Sequence, residues 1–146
     1  MKKTKYQYRV ILSSWGCAVD IQGALSPAGT STHIGQKVAE NLSLAVLPKG
    51  LEDEELQFLR LGASLAGAHI KEPFSVDADM VLVIQEVEYN ECNFQVEALA
   101  CAVIGLLEEM LGEPLLDIPV SFDASRNRYE FEFPELPSVW VREDIG

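Results

Sequence analysis

The sequence predicts an α+β domain: a mainly antiparallel sheet with helices packed on one face, in the order β-β-α-α-β-α-β-β. Three observations predict it. Apolar residues alternate with polar ones near both ends of the chain, at Tyr6, Tyr8, Val10 and Leu12 and again from Ile118 to Phe133. Apolar residues recur at helical spacing between Ile34 and Leu65. Between these regions an apolar strand pattern starting at Met80 runs into an almost wholly apolar helical stretch ending near Leu111.

Taken in order, "YQYRVIL" reads as the first strand, and "AVDIQGAL", with Val19 and Ile21 set against Asp20 and Gln22, as the second. "GALSPAGTSTH" is a polar loop containing Pro27 and Gly29. From Ser31 as N-cap, Ile34, Val38, Leu42 and Ala45 predict a helix that Pro48 stops. After Pro48-Lys49-Gly50, Glu52, Asp53, Glu54 and Glu55 occupy the first turn of a second helix, where the helix dipole favours carboxylates; their expected role is structural. That helix continues through Leu59 and Ala63 toward Gly67. Met80 to Tyr89 is the central strand, apolar on both faces in "MVLVI" and half-solvated where Glu86 and Glu88 alternate with Val87 and Tyr89. Asn93 is the expected cap of the next helix, and Gly112 with Pro114 its end. Leu99, Val103, Leu106 and Leu107 should be buried. A hairpin follows, with Ile118, Val120 and Phe122 facing Tyr129, Phe131 and Phe133, and an irregular tail begins at about residue 134. No repeat or domain boundary interrupts the 146 residues, so a single domain is expected.

Charge is sharply segregated. Residues 72–125 contain twelve Asp/Glu and no Lys or Arg, and this segment matches the whole chain's formal net charge of −12. Such a field repels nucleic-acid phosphate and anionic membrane and steers cationic partners inward. The candidate partner-binding residues are therefore Glu86, Glu88 and Glu91 at the end of the central strand, and Glu108, Glu109 and Glu113 at the end of the helix that follows. The competing reading is a solvated acidic surface with no partner.

Catalytic and metal motifs are weak. "GASLAG" resembles a G-x-S-x-G elbow around Ser64, but the residues before it read as helix rather than strand. Small residues packing one helix against another explain it better. His33 and His69 lack partners at metal-ligand spacing, and Asp77 and Asp79 lack the rest of a calcium loop. No metal and no cofactor is expected. Cys17, Cys92 and Cys101 make an odd count without C-x-x-C spacing, which fits a reducing, cytoplasmic setting. The apolar run behind Lys2, Lys3 and Lys5 is too short for a signal peptide, and no segment is long enough for a membrane span.

"MVLVIQEVEYNECNFQVEALACAVIGLLEEM" resembles the strand–turn–helix unit in domain IV of elongation factor G, with Phe94, Ala98 and Ala102 matching the Phe-x-x-x-Ala-x-x-x-Ala helix of that family. The resemblance implies an α+β fold containing a βαβ unit. It does not imply a translational GTPase, because no phosphate-binding loop is present, and the matched region has no basic residue to meet RNA.

The leading functional expectation is a non-catalytic acidic protein that docks on and neutralises a basic partner, in the manner of an immunity protein or antitoxin acting on a toxin. Two alternatives stand beside it. One is a small enzyme or ligand-binding domain with a pocket at residues 23–33, using Ser26, Thr30, Ser31, Thr32 and His33. The other is a structural subunit that forms a homodimer through the helix at 94–111.

Overall fold

The computed structural model describes residues 3–30, 33, 35–70 and 79–134. Its strands are β1 (Lys3–Ile11), β2 (Gly16–Pro27), β3 (Gln36–Ala39), β4 (Leu42–Val46), β5 (Met80–Glu88), β6 (Val120–Asp123) and β7 (Arg128–Phe131). Its helices are α1 (Asp53–Ala68) and α2 (Ala98–Leu111). Five strands form one sheet in the order β1-β2-β5-β4-β3, and β6 and β7 form a separate hairpin. Within the large sheet only β4 and β5 pair in parallel, and α1 makes the crossover between them. The fold is α+β with a mostly antiparallel sheet, as the alternation in the sequence predicts.

One element differs. The segment read as a helix from Ser31 to Ala45 contains the hairpin β3–β4, with Glu40 and Asn41 at its turn. Ser31, the expected cap, lies outside the described residues. A two-residue turn makes residues four apart into near neighbours across the two strands. The spacing Val38, Leu42 therefore fits a helix and a tight hairpin equally well, and both side chains enter the core. What distinguishes the hairpin is the period-two run Leu42, Leu44 set against Ser43, Ala45.

Both helices cover the same face of the sheet. Val19 and Ile21 of β2, Leu44 of β4 and Leu82 and Ile84 of β5 form one core with Leu59 and Ala63 of α1 and Leu99, Val103 and Leu106 of α2. Leu99, Val103, Leu106 and Leu107 are fully buried, as expected, each contributing about 1.5–3 kcal/mol of burial. Every residue from Ala98 to Leu107 is buried. The apolar surface of α2 is thus consumed within the chain, against α1, β1 and β2. The two helices touch at Gly62, where a methyl group would overlap the backbone of Ala100. Gly62 of "GASLAG" serves that contact, Gly67 lies against Ala39 and Leu42 of the β3–β4 hairpin, and Ser64 is fully buried in the middle of α1.

The start of α2 also differs from expectation. Asn93 belongs to a short 3-10 turn over Glu91–Asn93, whose first N–H groups are served by Asn90, and Glu97 occupies the N-cap position of α2. Phe94 is extended because it stacks on Tyr89, with ring centroids 3.6 Å apart and planes 10° from parallel. Gln95 is then held on both sides. Its N–H donates to Cys17 Sγ, while its side-chain amide donates to the Tyr129 carbonyl and accepts from the Tyr129 N–H. In this way Gln95 extends the β6–β7 hairpin by one amide. Tyr129, fully buried, donates its hydroxyl to the Trp15 carbonyl and accepts from Leu12 N–H, fixing the hairpin to the β1–β2 turn.

Candidate functional site

Alternation along β5 decides where its carboxylates go. Leu82 and Ile84 face the helices, and Val81 and Val83 form a separate small cluster with Ala45 on the other face. At Gln85 the pairing with β2 shifts by one residue: Gly23 is opposite Ile84 but Gln22 is opposite Glu86. This bulge reverses the parity of the strand, so Val87 also packs on the main core and Glu86 and Glu88 point away from the helices.

The neighbouring strands complete the surface. Register places Lys5 of β1, Gln22 of β2 and Glu86 in one row, and Gln7, Asp20 and Glu88 in the next. These six residues line a shallow cleft of about 380 Å³. Asp20, Glu86 and Glu88 are all exposed. Among the described residues none of the three makes an ion pair; Arg126 pairs with Asp123 and Arg128 with Glu97 instead. Asp20 was not among the sequence candidates. Its place on the polar side of β2 was legible, but its proximity to Glu88 depends on β2 pairing with β5.

Glu91 is exposed in the 3-10 turn after β5, close enough to the Tyr89 hydroxyl to hinder its ionisation. Tyr89 donates to Glu55 Oε2 at 2.7 Å, and the other oxygen of that carboxylate accepts from the Glu52 N–H at 2.9 Å. Glu55 is buried and doubly bonded, which makes it the structural carboxylate that its position in α1 predicts. The hydrogen bond to Glu55, then burial, pushes the Tyr89 phenol up to about 12.

Glu108, Glu109 and Glu113 lie elsewhere. They lie at the end of α2 and just beyond it, and Glu109 borders a groove with Lys3 and Lys5 of β1. Glu108 is half-buried and already engaged: its carboxylate accepts the N–H groups of Leu115 at 2.7 Å and Leu116 at 3.3 Å, holding the chain as it leaves Gly112. It also helps burial hold the Tyr6 phenol above its ordinary range. Glu109 and Glu113 remain exposed without ion pairs among the described residues.

The other candidates are placed as follows. Ser64 Oγ is buried without a hydrogen-bond partner, and His69 Nδ1 lies 2.9 Å from the Leu65 carbonyl one turn back along the chain. Neither addresses the other. Cys17 and Cys101 are buried, and burial raises both thiols, Cys101 to about 12. Cys92 is exposed in the 3-10 turn. In the loop reading, Ser26 is buried in β2 with no partner for its hydroxyl, and Ser31 and Thr32 lie outside the described residues. Asp77 lies outside them also. Among the described residues no group of three or more His, Cys, Asp or Glu converges as metal ligands, and no helix is long and apolar enough to cross a membrane. Comparison with protein-family models and with curated proteins finds no match to this chain.

Proposed function

We propose that this protein is a non-catalytic acidic binding protein that docks on and neutralises a basic protein, in the manner of an immunity protein or antitoxin. The observation that carries the reading is the outer face of the sheet: Asp20, Glu86 and Glu88 are exposed, adjacent and without ion pairs among the described residues. A rigid sheet holds these carboxylates at fixed spacing, which favours electrostatic complementarity and fast encounter with a cationic surface. Glu91 extends the surface past the end of β5. Glu109 and Glu113 add to the long-range field from the end of α2 and just beyond it. The likeness to a ribosome-facing domain contributes no function here, because residues 72–125 offer no cation to RNA.

The test uses nona-arginine as the probe and two double variants with the same change in net charge. Glu86→Lys with Glu88→Lys should weaken binding by about tenfold, chiefly through the association rate, while Glu109→Lys with Glu113→Lys changes it by less than about threefold. Equal loss in both variants would reduce the effect to net charge and remove the docking surface.

A further inference from the structure

β1 is an outer strand of the large sheet, joined to β2 by a continuous ladder from Lys3↔Ala24 to Ile11↔Gly16 without a register shift. Among the described residues no strand pairs with its other side. A strand in that position presents a row of unpaired N–H and C=O groups, a template for another strand. The opposite edge is protected by being short and irregular: β3 has four residues and its pairing with β4 shifts between Lys37 and Ala39. β1 is long and regular instead.

Its two faces differ in chemistry. Lys3, Lys5 and Arg9 are exposed on one, and among the described residues none has an ion pair, in a chain with 23 acidic residues. On the other face Tyr6 and Tyr8 open onto a cleft of about 110 Å³ that Ile104, Leu116 and Ile118 also line. Glu108 and Asp117 border the same cleft, Glu108 with its carboxylate already bound by backbone N–H groups.

We propose that the free edge of β1 receives an extended segment of a partner protein that carries carboxylates at alternate positions with apolar side chains between them. The added strand completes the backbone ladder, sets its acids against Lys3, Lys5 and Arg9, and turns its apolar side chains toward the cleft beside Tyr6 and Tyr8. This edge borders the acidic surface, shares Lys5 with it and is opposite in charge. A second copy of β1 is the poorer occupant, because antiparallel pairing centred on Gln7 sets Lys5 against Arg9 of the other copy. Lysines on an edge also serve to keep strands away, and the experiment separates that role from recruitment.

The capped peptide Glu-Val-Glu-Val-Glu-Val-Glu and its Lys-for-Glu counterpart are titrated into the full chain, with binding read by calorimetry and by backbone amide shifts. The acidic peptide should bind, weaken as salt rises, and shift amides of β1 and of residues 115–118. The lysine peptide should not compete. Lys5→Glu with Arg9→Glu should weaken the acidic peptide by about tenfold, with circular dichroism and unfolding midpoint unchanged. No binding of the acidic peptide at millimolar concentration, equal binding of both peptides, or shifts confined to other strands would overturn the proposal. Self-association that protects the β1 amides in place of peptide binding would overturn it too.

Discussion

Tyr89 shows how one side chain links the acidic surface to the fold. Its ring stacks on Phe94 and its hydroxyl donates to Glu55, a carboxylate that also ties the first turn of α1 to Glu52. Tyr89→Phe leaves that buried carboxylate one donor short, and should destabilise the protein by about 1–3 kcal/mol in urea unfolding. The pH dependence follows from the raised phenol. Below the ordinary phenol value of 10.0 both folded and unfolded chains keep the proton, and the hydrogen bond contributes fully. As pH rises toward about 12 the unfolded chain ionises first, so the contribution falls and is lost on passing through the folded value. The ultraviolet titration of wild type minus Tyr89→Phe should therefore have its midpoint near 12 rather than 10. A midpoint at the ordinary value would show that the Glu55 contact does not form.

Elements whose periodicity had one interpretation were legible in the sequence, and those that depended on distant partners were not. The alternation of β1, β2 and the β6–β7 hairpin, the acidic start of α1 and the all-apolar α2 each follow from local pattern. β3–β4 was misread because Val38 and Leu42 satisfy helix and hairpin alike, and the choice is made by pairing with β5, more than thirty residues downstream. α2 begins late because Gln95 is drawn to Tyr129 and Phe94 to Tyr89, contacts no local cap residue can announce. Helix packing is a stricter constraint than either pattern. Gly62→Ala pushes a methyl group into the Ala100 backbone, and Ala102→Leu inserts bulk at a fully buried site. Each should cost about 1–3 kcal/mol through overpacking, read as a lowered denaturant midpoint. Wild-type stability in both variants would mean that α1 and α2 are not packed this closely.

At the scale of the molecule, the sheet divides the work between its two faces. One is covered by α1 and α2 and supplies the core; the other carries Asp20, Glu86 and Glu88 into solvent, with the cations of β1 along its border. The grouping of sequence candidates changed accordingly. Of the two sets of glutamates, the one at the end of β5 gained Asp20 from a strand more than sixty residues away, while Glu108 of the other was taken by the backbone of Leu115 and Leu116. Sequence showed the charge but not its address, because the address is set by strand order and by the bulge at Gln85. The most direct test of the docking claim is therefore a map of where a cation binds: backbone amide shifts of the wild-type chain titrated with nona-arginine. The account predicts that the largest shifts fall together on residues 18–22 and 85–88 and saturate with a single binding curve, whereas shifts spread evenly over every exposed acid, Glu109 and Glu113 included, would contradict it.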